Sequence, residues 1–140
     1  MKVAICQFDP TMHSGLIYSS YPKGIYYGCG VNKHDKGTPE YKAFKAIWFK
    51  EFHLKMSSLL KDATIYVACI QNDPDTLLGY SIIYKDTLEF VYVKELFRTQ
   101  GIATLLTKDK YTKVATPITK VGLTIISKNP QYNKENLNDQ

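Results

Sequence analysis

The segment from Val93 to Leu106, VKELFRTQGIATLL, carries residue types that bind phosphate groups. It joins a β-type apolar run to a helix-type run, and the free N–H groups and dipole at a helix start favour an anion. Arg98, the only arginine in the chain, would add a planar, charge-assisted contact. Gly101 and Ala103 would let a pyrophosphate approach the backbone without striking a side chain. The spacing R-x-x-G-x-A therefore predicts a loop that binds a phosphorylated cofactor.

Three apolar, partly β-branched runs come before this loop and predict an antiparallel meander. The runs and their connections are residues 63–70, the turn 71–75, residues 77–84, the pair Lys85-Asp86, and residues 88–93. An alternating run over residues 2–8 predicts an additional first strand, which Asp9-Pro10 would end.

Helix signals lie on both sides of the meander. The triplet Thr38-Pro39-Glu40 supplies an N-cap hydroxyl, a first-turn proline and a carboxylate, so a helix is expected from there to about Lys61. A shorter helix is expected from Gly101 to residues 110–112. The apolar face of the first helix recurs at spacings of three and four, through Tyr41, Phe44, Trp48, Phe52, Met56 and Leu59.

Two other stretches have less regular patterns. The tyrosine-rich residues 18–27 are interrupted by serine, proline and glycine, which predicts short helix and loop. Near the carboxyl end, Val114-Ala115 predicts a brief strand, and Thr116-Pro117 predicts a last helix that ends near Asn129-Pro130. The β-branched content of that last segment leaves a strand as the alternative. Residues 130–140 are polar and are expected to form a loosely ordered tail.

The segment from Val93 resembles motif A of the GNAT superfamily, the acyl-coenzyme-A-dependent N-acetyltransferases, with a pattern close to V-x-P-x-[FYW]-[QR]-x-x-G-[IVL]-[GA] before a leucine-rich helix. Glu95 stands where proline is common, and Thr99 stands where glycine is common. The order of elements over residues 1–112 also agrees with the superfamily. More narrowly, the chain looks like small GNAT-like proteins encoded by bacteriophages. The residues that match in register are Val93, Phe97, Arg98, Gly101, Ile102, Ala103, Leu105 and Leu106.

The resemblance implies an α/β (α+β) fold in one domain over residues 1–140, with a central mixed, mostly antiparallel sheet flanked by helices and a shortened C-terminal part. It implies acetyl-coenzyme A as cofactor, and transfer of an acetyl or related acyl group by direct attack of an amine. The amine would belong to a protein, a modified nucleobase or a small molecule. The backbone of Val91, Tyr92 and Val93 would pair with the pantetheine arm. The pyrophosphate would be held by Arg98, Thr99, Gln100, Gly101, Ile102, Ala103 and Thr104.

Two residues are expected to carry the chemistry in this family scheme. Glu89 is the candidate general base, because residues 87, 89, 91 and 93 would share one strand face. The alternative for Glu89 is an exposed strand carboxylate. Tyr132 is the candidate acid that protonates the thiolate leaving group. Four tyrosines could shape the acceptor pocket: Tyr18, Tyr21, Tyr26 and Tyr27.

The composition limits the class of protein. The chain is 44% hydrophobic and 22% charged, which is typical of globular domains. It has no apolar run long enough for a membrane span and no secretory signal at its amino terminus. Cys6, Cys29 and Cys69 are widely spaced, which predicts neither a disulfide framework nor a metal site. We therefore expect unpaired thiols in a reducing cytoplasm, the host cytoplasm if the protein is phage-encoded.

The charge and the short carboxyl end leave alternatives open. The net charge is +5, but the lysines are scattered, so nucleic acid is not expected as the main partner. A non-catalytic GNAT-fold binding or inhibitor protein, aimed at a host factor, is the alternative to an enzyme acting on acyl-coenzyme A and an amine acceptor. An incomplete sheet would leave an edge that another copy could cover, which gives a homo-oligomer.

Overall fold

The computed structural model describes residues 2–115 of the chain. Its strands are β1 (Val3–Gln7), β2 (Thr64–Ile70), β3 (Asp73–Tyr84), β4 (Thr87–Val93) and β5 (Lys113–Val114). They form one five-stranded sheet in the order β1-β2-β3-β4-β5. Neighbours from β1 to β4 are antiparallel, whereas β4 and β5 are parallel. The expected mixed, mostly antiparallel sheet is therefore confirmed.

Tight turns join the central strands. Lys85 and Asp86 have φ values of 47° and 64°, the left-handed pair that a two-residue hairpin turn requires. Asn72, with φ of 75°, makes the earlier turn, and β3 begins directly after it at Asp73. The meander is thus confirmed, but the strand predicted from Leu77 begins earlier, at Asp73.

The first helix, α1 (Pro10–Gly28), corrects the prediction of short helix and loop. The side chain of Asp9 caps it by accepting a hydrogen bond from the Thr11 N–H at 3.0 Å. Its buried residues include Ile17, Tyr21 and Ile25, which are spaced at four and pack on the sheet. The prediction was wrong because burial of this stripe outweighs the local breakers; Pro22 lies inside the helix and is itself buried.

The second helix, α2 (Pro39–Asp62), begins as the sequence predicts. The Thr38 hydroxyl accepts a hydrogen bond from the Tyr41 N–H at 3.2 Å. Met56 is its one fully buried residue, and the aromatic stripe at Trp48 and Phe52 is half-buried against α1 and the sheet. α2 therefore forms an outer wall on this side of the protein.

The third helix, α3 (Ile102–Thr107), lies on the opposite face of the sheet and is shorter than expected. Asp109 has φ of 61°, which takes the chain out of helical conformation before residues 110–112. Ile102 and Leu106 bury their side chains against β4, and β5 follows as a brief strand close to the predicted position. The predicted last helix over 117–129, the tail and Tyr132 lie outside the described residues.

Two further findings concern the cysteines and membranes. Cys6 of β1 and Cys69 of β2 form a disulfide with Cα atoms 6.4 Å apart. The expectation of unpaired thiols is wrong for these two, because strand pairing brings together residues that are distant in sequence. Cys29 takes no part in this disulfide. No helix within residues 2–115 is long and apolar enough to cross a membrane.

Candidate cofactor and catalytic site

The site begins where the pairing of β4 with β5 ends. Thr87 and Leu88 pair with β5, and the Ala115 N–H donates to the Leu88 carbonyl at 3.0 Å. Among the described residues, β5 does not reach the later part of β4. On the other side, the Lys94 N–H donates to the β3 carbonyl of Leu78 at 2.8 Å. Because backbone groups alternate along a strand, Val91 and Val93 direct theirs to the outer edge, away from β3.

Arg98 folds back onto this edge of β4. Its Nε–H donates to the Val93 carbonyl at 2.8 Å, and its guanidinium lies 5.9 Å from the centre of the Tyr92 ring. The terminal nitrogens of the guanidinium are not used by this bond. The arginine therefore braces the loop against the strand in addition to any contact with an anion, a role that the sequence did not predict.

The turn into α3 depends on two residues with left-handed backbone. Gly101 has φ of 79°, and a Cβ added there would meet no atom within 4 Å. The positive φ favours glycine here, and a larger side chain would not be excluded by neighbouring atoms. The space above the turn is therefore open. Thr99 also has a positive φ, of 67°, which is strained for a β-branched residue.

The other predicted loop residues lie around this turn. Thr99, Gln100, Gly101 and Thr104 are exposed, Ala103 is half-buried, and Ile102 is buried as the anchor of α3. The Leu105 N–H is the first to bond the Gly101 carbonyl, at 3.1 Å, so the N–H groups before it have no partner four residues back. The exposed residues of the predicted loop thus lie together in the turn after β4, whereas the side chains of Val91, Val93 and Ile102 are buried.

Glu89 occupies a β-bulge and not a regular strand position. Phe90 pairs with Ile82 and Leu88 with Ile83, so Glu89 is the extra residue of β4. The bulge shifts the alternation: Leu88 and Val91 pack on the α3 side. The expectation that residues 87, 89, 91 and 93 share one face is therefore wrong.

The surroundings of Glu89 lie on the side of α1 and α2. Partial burial raises the pKa of its carboxyl group, and the Lys55 ammonium opposes this by lowering it. Burial, and then the charge of Glu89, raise the pKa of Tyr21. The Tyr21 ring stacks on Phe90 at 4.7 Å and meets Phe52 edge-on at 5.0 Å. A carboxylate held this way binds a proton more readily than an exposed one, as a general base must.

A hydroxyl network was missed by the sequence analysis. The Ser20 hydroxyl donates to the Leu16 carbonyl at 2.6 Å and lies 2.7 Å from the Tyr80 hydroxyl, so Tyr80 is the donor of that second bond. The Tyr80 ring is 5.8 Å from Tyr92, which in turn contacts Arg98. Burial raises the pKa of Tyr80. The signal was available in α1, where Ser20 and Tyr21 follow Ile17 at helical spacing, but the stretch was not predicted as one helix.

The four tyrosines predicted to shape an acceptor pocket differ in their exposure to solvent. Tyr21 and Tyr26 are buried, whereas Tyr18 and Tyr27 are exposed. Of the four, Tyr21 is close enough to Glu89 for the charge of that carboxylate to raise its pKa. No group of three or more His, Cys, Asp or Glu residues that could hold a metal ion occurs in the described part of the chain.

Comparisons with known proteins include a likeness to a solved structure. Neither a model of a known protein family nor a curated protein sequence matches the chain. The chain is similar to the solution structure of apo-form YjaB from Escherichia coli, at 14% sequence identity and a TM-score of 0.48. The likeness covers 76% of this chain and 62% of that chain, so this chain spans less than two thirds of the length of YjaB.

Proposed function

We propose that this protein is a GNAT-type N-acetyltransferase that transfers an acetyl or related acyl group from coenzyme A to an amine. The observation that carries the proposal is the junction of β4, β5 and α3. The parallel pairing stops at Leu88, the outer edge of β4 continues to Val93, and the glycine turn into α3 follows directly. The motif resemblance and this junction fall on the same residues.

The chain offers separate groups for the two halves of the cofactor. The outward N–H and C=O groups of Val91 and the outward N–H of Val93 would pair with the amides of a pantetheine arm, as another strand would. The Val93 carbonyl already accepts the bond from Arg98. The free N–H groups of the turn from Gly101 would take the pyrophosphate, since the open space above Gly101 fits a bulky anion. The terminal nitrogens of Arg98 would add charge. Acetyl-coenzyme A supplies the thioester that the amine attacks.

Glu89 would accept the proton that the attacking amine must lose. Its partial burial and raised pKa suit that task, and it stands at a bulge close to the edge that would hold the cofactor. Lys55 would keep its charged form accessible near neutral pH. Tyr132 remains the proposed acid for the leaving thiolate, by resemblance alone.

The test is release of free thiol from acetyl-coenzyme A in the presence of a panel of amines: lysine peptides, polyamines, and amino-nucleosides. Turnover with any of them should fall roughly 100-fold or more in Glu89→Gln, the range expected for loss of a general base. Glu51→Gln, on an exposed turn of α2, is the matched control and should keep full turnover. Equal turnover in both variants would remove Glu89 from the mechanism.

A second candidate function is a binding protein that keeps the cofactor without turnover. It is favoured by the use of Arg98 Nε in bracing the loop and by the strained Thr99, because both fit a loop with a structural role. Binding of coenzyme A with no thiol release across the panel would support this candidate over the enzyme.

A further inference from the structure

The outer edge of β1 presents backbone groups that no described strand pairs with. The Gln71 N–H donates to the Lys2 carbonyl at 2.9 Å, so Lys2 faces β2. Within residues 2–115 the sheet begins with β1, and its other edge has no neighbour. Because backbone direction alternates along an antiparallel strand, the residues whose N–H and C=O groups point outward are Val3, Ile5 and Gln7.

This edge lacks the features that normally prevent strand pairing. Its residues, VAICQ, include no charge and no proline, and they pair one-to-one with β2 without a bulge. Ile5 is 39% exposed, although it is apolar and β-branched. The disulfide from Cys6 to Cys69 fastens the strand to β2, so its outward groups are ordered in advance. The outer edge of β1 can therefore pair with another strand without rearrangement.

We propose that β1 pairs antiparallel with β1 of a second copy of this chain, around a two-fold axis at Ile5. In that register Val3 lies opposite the partner's Gln7, and every outward residue meets an outward residue. Each opposed pair can exchange both of its backbone hydrogen bonds. The two Ile5 side chains lie on the same face and bury each other. An isologous interface of this kind needs only one patch on the surface.

The charges at the ends of the strand favour the antiparallel arrangement. Lys2 precedes β1 and Asp9 follows it, and both are exposed. Antiparallel pairing brings each lysine toward the partner's Asp9, whereas parallel pairing would bring like charges together. β1 is separated from β4 by two strands, so this dimer leaves the candidate cofactor site uncovered and does not depend on the proposed function.

Sedimentation or light scattering across a concentration series tests the dimer. The natural chain should be dimeric, and Ile5→Lys should raise the dissociation constant roughly 100-fold or more, because it removes buried apolar surface and opposes two like charges. Leu54→Lys adds the same charge to an exposed leucine of α2 and should leave the dimer intact. A monomeric natural chain, or equal masses for the two variants, would overturn the proposal.

Amide hydrogen exchange tests the register without any substitution in the strand. The amides of Val3, Ile5 and Gln7 should be protected in concentrated protein and exchange on dilution, while the Ala4 and Cys6 amides stay protected throughout. Protection that is independent of concentration would mean that these amides are protected by the same chain, which would contradict the proposal. Lys2→Glu should weaken the dimer most at low salt, and Lys42→Glu, exposed on α2, should not.

Discussion

The Arg98 side chain donates its Nε–H to the backbone carbonyl of Val93 across 2.8 Å, which closes the loop that follows β4. The bond occupies the outward carbonyl at the end of β4. Arg98 therefore links the end of this strand to the candidate phosphate loop. A lysine cannot reproduce this, because its ammonium is a point charge without the planar fork.

Arg98→Ala and Arg98→Lys should therefore both lose the loop bond and lower the free energy of unfolding by about 1 kcal/mol. Arg98→Lys should recover part of the affinity for coenzyme A, since it keeps the positive charge. Denaturant unfolding and calorimetry give the two readouts. Lys108 is exposed directly after α3, so Lys108→Ala is the control for loss of charge alone. Its free energy of unfolding should equal that of the natural chain. Full stability of Arg98→Lys would contradict the bracing role.

Thr99→Gly should stabilise the protein by about 1 kcal/mol, because glycine relieves the cost of a β-branched residue at φ of 67°. The same change at an exposed strand threonine without positive φ, Thr64→Gly, should destabilise it. Thermal unfolding of the pair is the measurement. A loss of stability in Thr99→Gly would mean that its backbone is not held in this conformation in solution.

Gly79→Ala should destabilise the sheet by about 2 kcal/mol, since a Cβ there would clash with the Tyr92 carbonyl and lie 3.0 Å from the Val93 Cα. Gly15→Ala, in α1 with no atom within 4 Å of the added carbon, should instead stabilise by about 1 kcal/mol. Chemical denaturation distinguishes the opposite signs. Two changes of the same sign would contradict the close approach of β3 and β4.

Glu89 should make both activity and stability depend on pH. Its raised pKa means that the folded state keeps the proton to a higher pH than the unfolded state, so this contribution to stability is lost as pH rises from the usual glutamate range through the raised pKa. Catalysis needs the deprotonated form and should rise over the same window. Glu89→Gln should remove the stability change, which thermal unfolding from pH 4 to pH 8 would detect. An unchanged profile would contradict the burial of this carboxyl.

Local signals predicted much of the fold. The N-cap at Thr38 and the Lys85-Asp86 turn were predicted correctly, because each is encoded within a few neighbouring residues. The helix α1 was not predicted, because burial of Ile17 and Tyr21 outweighs the helix-breaking tendency of Pro22. Burial is a property of the whole fold.

The candidate site divides in the same way. The loop residues lie in one segment and are predicted from their spacing, whereas the bulge at Glu89 depends on a mismatch between β3 and β4. Pairing between Cys6 and Cys69 and the bond from Tyr80 to Ser20 join residues far apart in the chain. Spacing in one sequence cannot predict contacts of that kind.

Calorimetric titration with acetyl-coenzyme A tests the central claim most directly. Gly101→Glu and Gly37→Glu are matched, because both glycines have positive φ and open space, at 79° and 85°. Micromolar binding by the natural chain, abolished in Gly101→Glu and kept in Gly37→Glu, is the predicted result. No binding by the natural chain at millimolar cofactor, or equal loss in the two variants, would contradict a cofactor site at this loop.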